Sequence, residues 1–89
     1  MKAIVTVVGQ DRVGIIAAVC SKLAEFNVNV LDISQTVMQG YFTMMMATDI
    51  SQCTIPVAEL AKQMEKAGVE MGLSIRVQRE DIFQSMHRI

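Results

Sequence analysis

The chain has no tryptophan, three phenylalanines, one tyrosine, one proline, one histidine and two cysteines in 89 residues. Each scarcity excludes something. Cys20 and Cys53 lie far apart and cannot form a disulfide-rich framework, so a reducing, cytoplasmic setting is expected. His87 is remote from both, and metal ligands on one helix or hairpin need spacings of only two to about four residues. No metal centre and no cofactor are therefore expected. Eight basic residues against nine acidic ones, in no run of one sign, give a net charge of −1. Such a chain has no electrostatic footprint for nucleic acid or an anionic membrane. Nor does any apolar run approach the ~20 residues that span a bilayer, and Met1-Lys2-Ala3-Ile4-Val5 opens without a signal-peptide pattern.

Apolar residues are plentiful: 52% of the chain is hydrophobic and 19% charged. The length fits one small domain, which buries only ~60–65% of its unfolded surface. Apolar material in excess of that core is expected to meet a partner, most simply a second copy.

Residues 2–8 are rich in β-branched side chains and read as a strand. After the link from Gly9 to Gly14, Val13, Ile16, Val19, Cys20, Leu23 and Phe26 recur at helical spacing, with Ser21, Lys22 and Glu25 opposite. Residues 28–38 form a second strand whose alternation slips near residues 30–31, the mark of a bulge. Gln39-Gly40 turns it into a third strand, residues 41–50. There Phe42, Met44, Met46 and Ile50 share one face, while Tyr41, Thr43, Met45 and Asp49 share the other. The consecutive methionines are core filling on one side; Tyr41 and Met45 are a contact surface on the other. Pro56 suits the first turn of a second helix with Val57, Leu60, Ala61 and Met64 inward and Gly68 at its C-cap. Residues 73–77 alternate cleanly as a last strand, and Ile82, Phe83, Met86 and Ile89 give residues 81–89 the pattern of a short amphipathic helix.

The order β-α-β-β-α-β is α+β and ferredoxin-like: a four-stranded antiparallel sheet with two helices on one face. Residues 1–80 form the domain and 81–89 an extension. RNA-recognition domains share this order but stack bases on aromatics of the first and third strands, and residues 2–8 contain none.

Gly9-Gln10-Asp11-Arg12-Val13-Gly14 carries the chemistry that remains. A helix start offers unpaired N–H groups and partial positive charge, and glycines let a ligand come close. A ligand carboxylate suits the N–H groups, with Asp11 meeting an ammonium; a plain turn capped by Asp11 is the other reading. A phosphate-binding P-loop is excluded because Ile15-Ile16 stand where it needs Lys and Ser or Thr. No nucleophile–base pairing is visible either, so no enzyme is expected.

This loop, its apolar helix and then Asn27-Val28-Asn29-Val30-Leu31-Asp32-Ile33 resemble an ACT domain, over roughly residues 2–80. Among ACT domains the chain is most similar to small stand-alone members, and it departs from the common pattern at Val13, where many have proline. The resemblance implies a β-α-β-β-α-β module that regulates by binding an amino acid between two subunits. Carried over by position, it nominates Gly9, Asp11, Gly14 and Ile15 from one subunit and Asn29 and Val30 from the other. Asn29 offers both a donor and an acceptor to a zwitterion. The implied protein is a non-enzymatic homodimeric sensor acting on itself or on a protein in trans. The competing reading keeps the fold but docks a protein without binding a small molecule.

Overall fold

A computed structural model describes residues 1–11 and 13–81. The elements are β1 (Lys2–Gln10), α1 (Ile15–Glu25), β2 (Asn29–Met38), β3 (Tyr41–Asp49), α2 (Val57–Met71) and β4 (Leu73–Arg79). The sheet order is β2-β3-β1-β4, and every neighbouring pair is antiparallel. This is the ferredoxin-like α+β layout expected from the sequence.

Alternation along the strands divides core from surface. Ala3, Val5 and Val7 of β1, Met44 and Met46 of β3, and Ile75 of β4 meet Val19 and Leu23 of α1 and Leu60 and Met64 of α2. Met45, between two fully buried methionines, is 37% exposed on the opposite face. Thr48 is the one buried polar residue described, and its hydroxyl donates to the Ala3 carbonyl at 2.8 Å. Gln39 and Gly40 both take positive φ (53° and 81°), the hairpin turn whose twist matches its strands. The register of β2 on β3 shifts between Val30 and Asp32, so the bulge lies where the broken alternation placed it.

β2 starts and β3 ends one residue inside the expected bounds, and larger differences from the expectation have physical reasons. β1 continues through Gly9 and Gln10 because both pair across the sheet, with Phe42 and Tyr41. Val13 is fully exposed in the turn before α1, and the buried stripe starts at Ile15 instead. Pro56 is the residue before α2 rather than within its first turn. The C-cap of α2 is Gly72 and not Gly68: Gly72 takes the left-handed conformation (φ 73°) and donates its N–H to Val69 O at 3.2 Å. Gly68 lies inside the helix, where it lets α2 approach β4. Cys20, expected to be buried, is half-buried at the rim of the core. The last strand runs two residues further than expected, and from residue 82 the amphipathic extension lies outside the described residues.

β2 is unlike the other strands. Nine of its ten residues are exposed, Val30 alone being half-buried. Its helix-side residues include Ile33, Gln35 and Val37, opposite Met46, Met44 and Phe42 of β3. Ile33 and Val37 are 39% and 54% exposed, so the helix layer stops short of this edge. A ten-residue edge strand carrying apolar side chains and no lysine or proline is an invitation to pair.

At the other end of the sheet, Asp49 Oδ1 accepts the Ser51 N–H at 2.8 Å, and the Met1 ammonium stands 3.9 Å away. Hydrogen bonds from Ser51, aided by that ammonium, hold the Asp49 carboxyl below its usual 3.8. A carboxyl lowered by folding adds stability above its unfolded value and loses it as pH falls through the folded one. Carbon-13 titration is therefore expected to place the Asp49 midpoint below 3.8, and Ser51→Ala to move it upward. An unshifted midpoint in the native protein would contradict the Ser51 contacts.

Candidate functional site

The loop from β1 to α1 is built differently from a side-chain-capped turn. Gly14 is the N-cap, in a left-handed conformation (φ 90°, ψ 0°), and no side chain caps the first turn. Asp11 is thus not the cap. Its backbone N–H donates to Gly40 O at 2.9 Å, which pins the loop to the β2–β3 turn and leaves the carboxylate without a partner among the described residues. The first ladder bond of α1 runs from Ala18 N–H to Gly14 O at 2.9 Å. The N–H groups of Ile15, Ile16 and Ala17 precede it and have no acceptor in that ladder.

Beside this loop is a cleft of about 250 Å³ between α1 and the outer part of β2. Asp11, Gly14, Ile15, Ile16 and Ala17 line one wall; Gln35, Val37 and Phe42 line the other. The chemistry is simple: one free carboxylate, an uncapped helix start, an amide and an apolar remainder. A small zwitterion matches all four, with its ammonium at Asp11 and its carboxylate at the α1 N–H groups.

The sequence-derived residues divide into three groups. Asp11, Gly14 and Ile15 come together in the cleft. Gly9 lies just below it within β1, and a Cβ there would stand 2.4 Å from Leu73 Cδ2, so this glycine serves strand packing. Asn29 and Val30 are at the far end of the sheet: Asn29 is level with Asp49 and Lys2, whereas Gly9 is level with Phe42. Seven residues of strand, ~23 Å, separate those levels. Within one protomer the two halves do not meet. They also face opposite ways, since Val30 pairs with buried Thr48 on the helix side and Asn29 with Asp49 on the open side.

Sequence reasoning missed Gln35, Val37, Ile16 and Ala17. For Gln35 and Val37 the signal was the bulge: once it is counted, the second half of β2 turns Ile33, Gln35 and Val37 toward the helices. Among the described residues no group of three His, Cys, Asp or Glu side chains is placed to hold a metal ion. No described helix is long and apolar enough to cross a membrane.

Comparison with known proteins agrees with this architecture. The sequence profile of the ACT domain matches residues 2–78. The UPF0237 protein lin0537 of Listeria innocua is 51% identical over 89 residues, all of both chains. Among solved structures, an ACT domain protein from Streptococcus pneumoniae superposes with a TM-score of 0.83 at 42% identity, covering 98% of each chain. The regulatory subunit of aspartate kinase from Thermus thermophilus gives a TM-score of 0.64 at 26% identity, over 86% of this chain and 50% of that one. With its fold, its glycine-bounded loop and full-length relatives all in agreement, this chain belongs to the ACT domain family.

Proposed function

We propose that the protein is a non-enzymatic sensor that binds a small amino acid, or a related metabolite, at a homodimer interface. The observation that carries this reading is the α1–β2 cleft lying open along an unpaired, apolar strand edge. Two copies joined antiparallel along β2, about a two-fold axis near Ile33, extend each sheet to eight strands. The same pairing brings the start of one β2 beside the end of the other. Val30 of the partner subunit then faces the helix side near Gln35 and Val37, with Asn29 next to it at the strand end. Val30 of each protomer thereby reaches the cleft of the other, while Asn29 stands beside it on the open face. Ligand in that cleft touches both subunits, so occupancy tightens the dimer, and a tighter dimer is a signal that a partner protein can read.

Amino acids at millimolar concentration are expected to raise the thermal midpoint of the purified protein, with a small subset effective. Asp11→Asn alters a single exposed charge without touching the backbone bond to Gly40. A lost hydrogen bond to a charged group is worth ~1.5–3 kcal/mol, so the effective ligand should bind roughly 10- to 150-fold more weakly to Asp11→Asn. A full panel without any shift would remove the sensor reading and favour protein docking. Unchanged affinity in Asp11→Asn would move the ammonium elsewhere.

A further inference from the structure

The face of the sheet away from the helices has no cover among the described residues. Its centre is apolar: Ile4 and Val8 of β1 lie beside Met45 and Ala47 of β3, with Val8 and Met45 41% and 37% exposed. Its two flanks carry opposite charges. Asp32 stands on β2, in the cross-strand row of Ala47, Ile4 and Gln78; Arg76 stands on β4, in the next row, with Thr6, Met45 and Ser34. Neither is fully satisfied among the described residues. Asp32 Oδ1 accepts the neighbouring Ile33 N–H at 2.9 Å, its other oxygen has no partner among the described residues, and Arg76 forms no ion pair with any of them. Beside Asp32 a hollow of about 210 Å³ is lined by Ile4, Met45, Ala47 and Ser34, an apolar recess with one carboxylate at its rim.

We infer that this open face is a second self-association surface, on which another copy of the chain packs sheet to sheet with Arg76 of each copy over Asp32 of the other. Sheets pack face to face ~10 Å apart with their strands nearly aligned. A two-fold axis between the sheets and parallel to the strands lays β2 of one copy over β4 of the other without changing the level of any row. Arg76 then sits one row, ~7 Å along the strands, from the opposing Asp32 and ~12 Å from it backbone to backbone across the sheet gap, which an extended arginine and an aspartate together span. Its aliphatic stem crosses the Ile4–Met45 hollow and its guanidinium meets the carboxylate; symmetry makes the contact twice. The apolar stripes of β1 and β3 stack between the two ion pairs.

The area supports a second copy as the occupant. Four strands ~4.8 Å apart and nine residues long give a face of ~600 Å², hence ~1,200 Å² for two, the lower bound for a specific interface. This surface is independent of the β2 edge and of any ligand.

Sedimentation velocity and native mass spectrometry on the purified full chain test this, with circular dichroism to verify folding. Met45→Lys, at a partly exposed site, is expected to lower the mass of the assembly to that of the β2-paired dimer, and Arg76→Asp to do the same. Combining Arg76→Asp with Asp32→Arg should restore it. A wild-type mass retained by Met45→Lys, or folded charge-swapped protein that stays dissociated, would overturn the inference. Removing residues 82–89 should leave the number of subunits in the assembly unchanged. Any change would show that the chain's own C-terminal segment occupies the face or makes the contact, and would overturn it equally.

Discussion

Gly68→Ala is expected to lower the thermal midpoint, although alanine inside a helix normally raises stability. The gain in helix propensity is ~1 kcal/mol. Against it stands geometry: a Cβ on Gly68 would lie 2.8 Å from Leu73 O, 3.0 Å from Ile75 Cγ1 and 3.3 Å from Ile75 N. Two of these three atoms are backbone, so no rotamer change relieves the contact. α2 would have to lift from β4, and with it Leu60 and Met64, both fully buried. Overpacking of this kind costs ~1–3 kcal/mol for small additions. Valine has little propensity advantage and adds two more carbons, so Gly68→Val should lose ~3 kcal/mol, at the upper end of that overpacking range. For a domain of this size, with ~5–10 kcal/mol in total, that lowers the midpoint by roughly 12–20 °C.

Gly72 provides the contrast. Nothing lies within 4 Å of its Cβ position, and its constraint is purely conformational, φ 73°. Asparagine tolerates that region, so Gly72→Asn should cost under about 1 kcal/mol. Thermal melts followed by circular dichroism measure both. A midpoint raised by Gly68→Ala would show that α2 and β4 are not in such close contact.

These two glycines also show where sequence stops being sufficient. Gly68 and Gly72 both look like helix ends, and local pattern alone cannot choose between them. Packing chooses: α2 extends to Met71 because Gly68 is needed against β4 and Gly72 can take the left-handed turn. The element order, the parity of the three methionines and the bulge at residues 30–32 were all legible, since each follows from alternation within one strand. The loop before α1 was legible as a ligand-type turn, but the role of Asp11 was not. Whether an acid caps a helix depends on backbone direction, and here the backbone bond to Gly40 draws Asp11 away from the helix start. The far wall of the cleft was hidden for a different reason. The bulge tells which way Gln35 and Val37 face, but they meet the loop only because the β2–β3 hairpin pairs with β1, Gly9 opposite Phe42, a long-range event with no local signature.

Ile33→Lys is expected to dissociate the β2-paired dimer and abolish any ligand-induced stabilisation while leaving the protomer folded. Ile33 faces the helix side of β2 but is 39% exposed, so the isolated domain has room to turn a lysine toward water. In the paired state the same position lies near the two-fold axis, where each lysine meets its own copy. Like charges forced together across an interface cost several kcal/mol, roughly a hundred-fold or more in dissociation constant. Lysine on an edge strand is also how natural sheets prevent pairing. Because the partner's Val30 reaches the cleft only through this pairing, the thermal response to amino acids should vanish with the dimer. The midpoint without ligand should fall modestly, by no more than the dimer itself contributes. Native mass measurement and the ligand-response melt separate the possibilities. A folded Ile33→Lys protein that keeps its wild-type mass would place the dimer contact off the β2 edge. One that dissociates yet still responds to an amino acid would make the cleft complete within a single protomer. Paired with Met45→Lys, the substitution should give a monomer, since each removes a different one of the two surfaces.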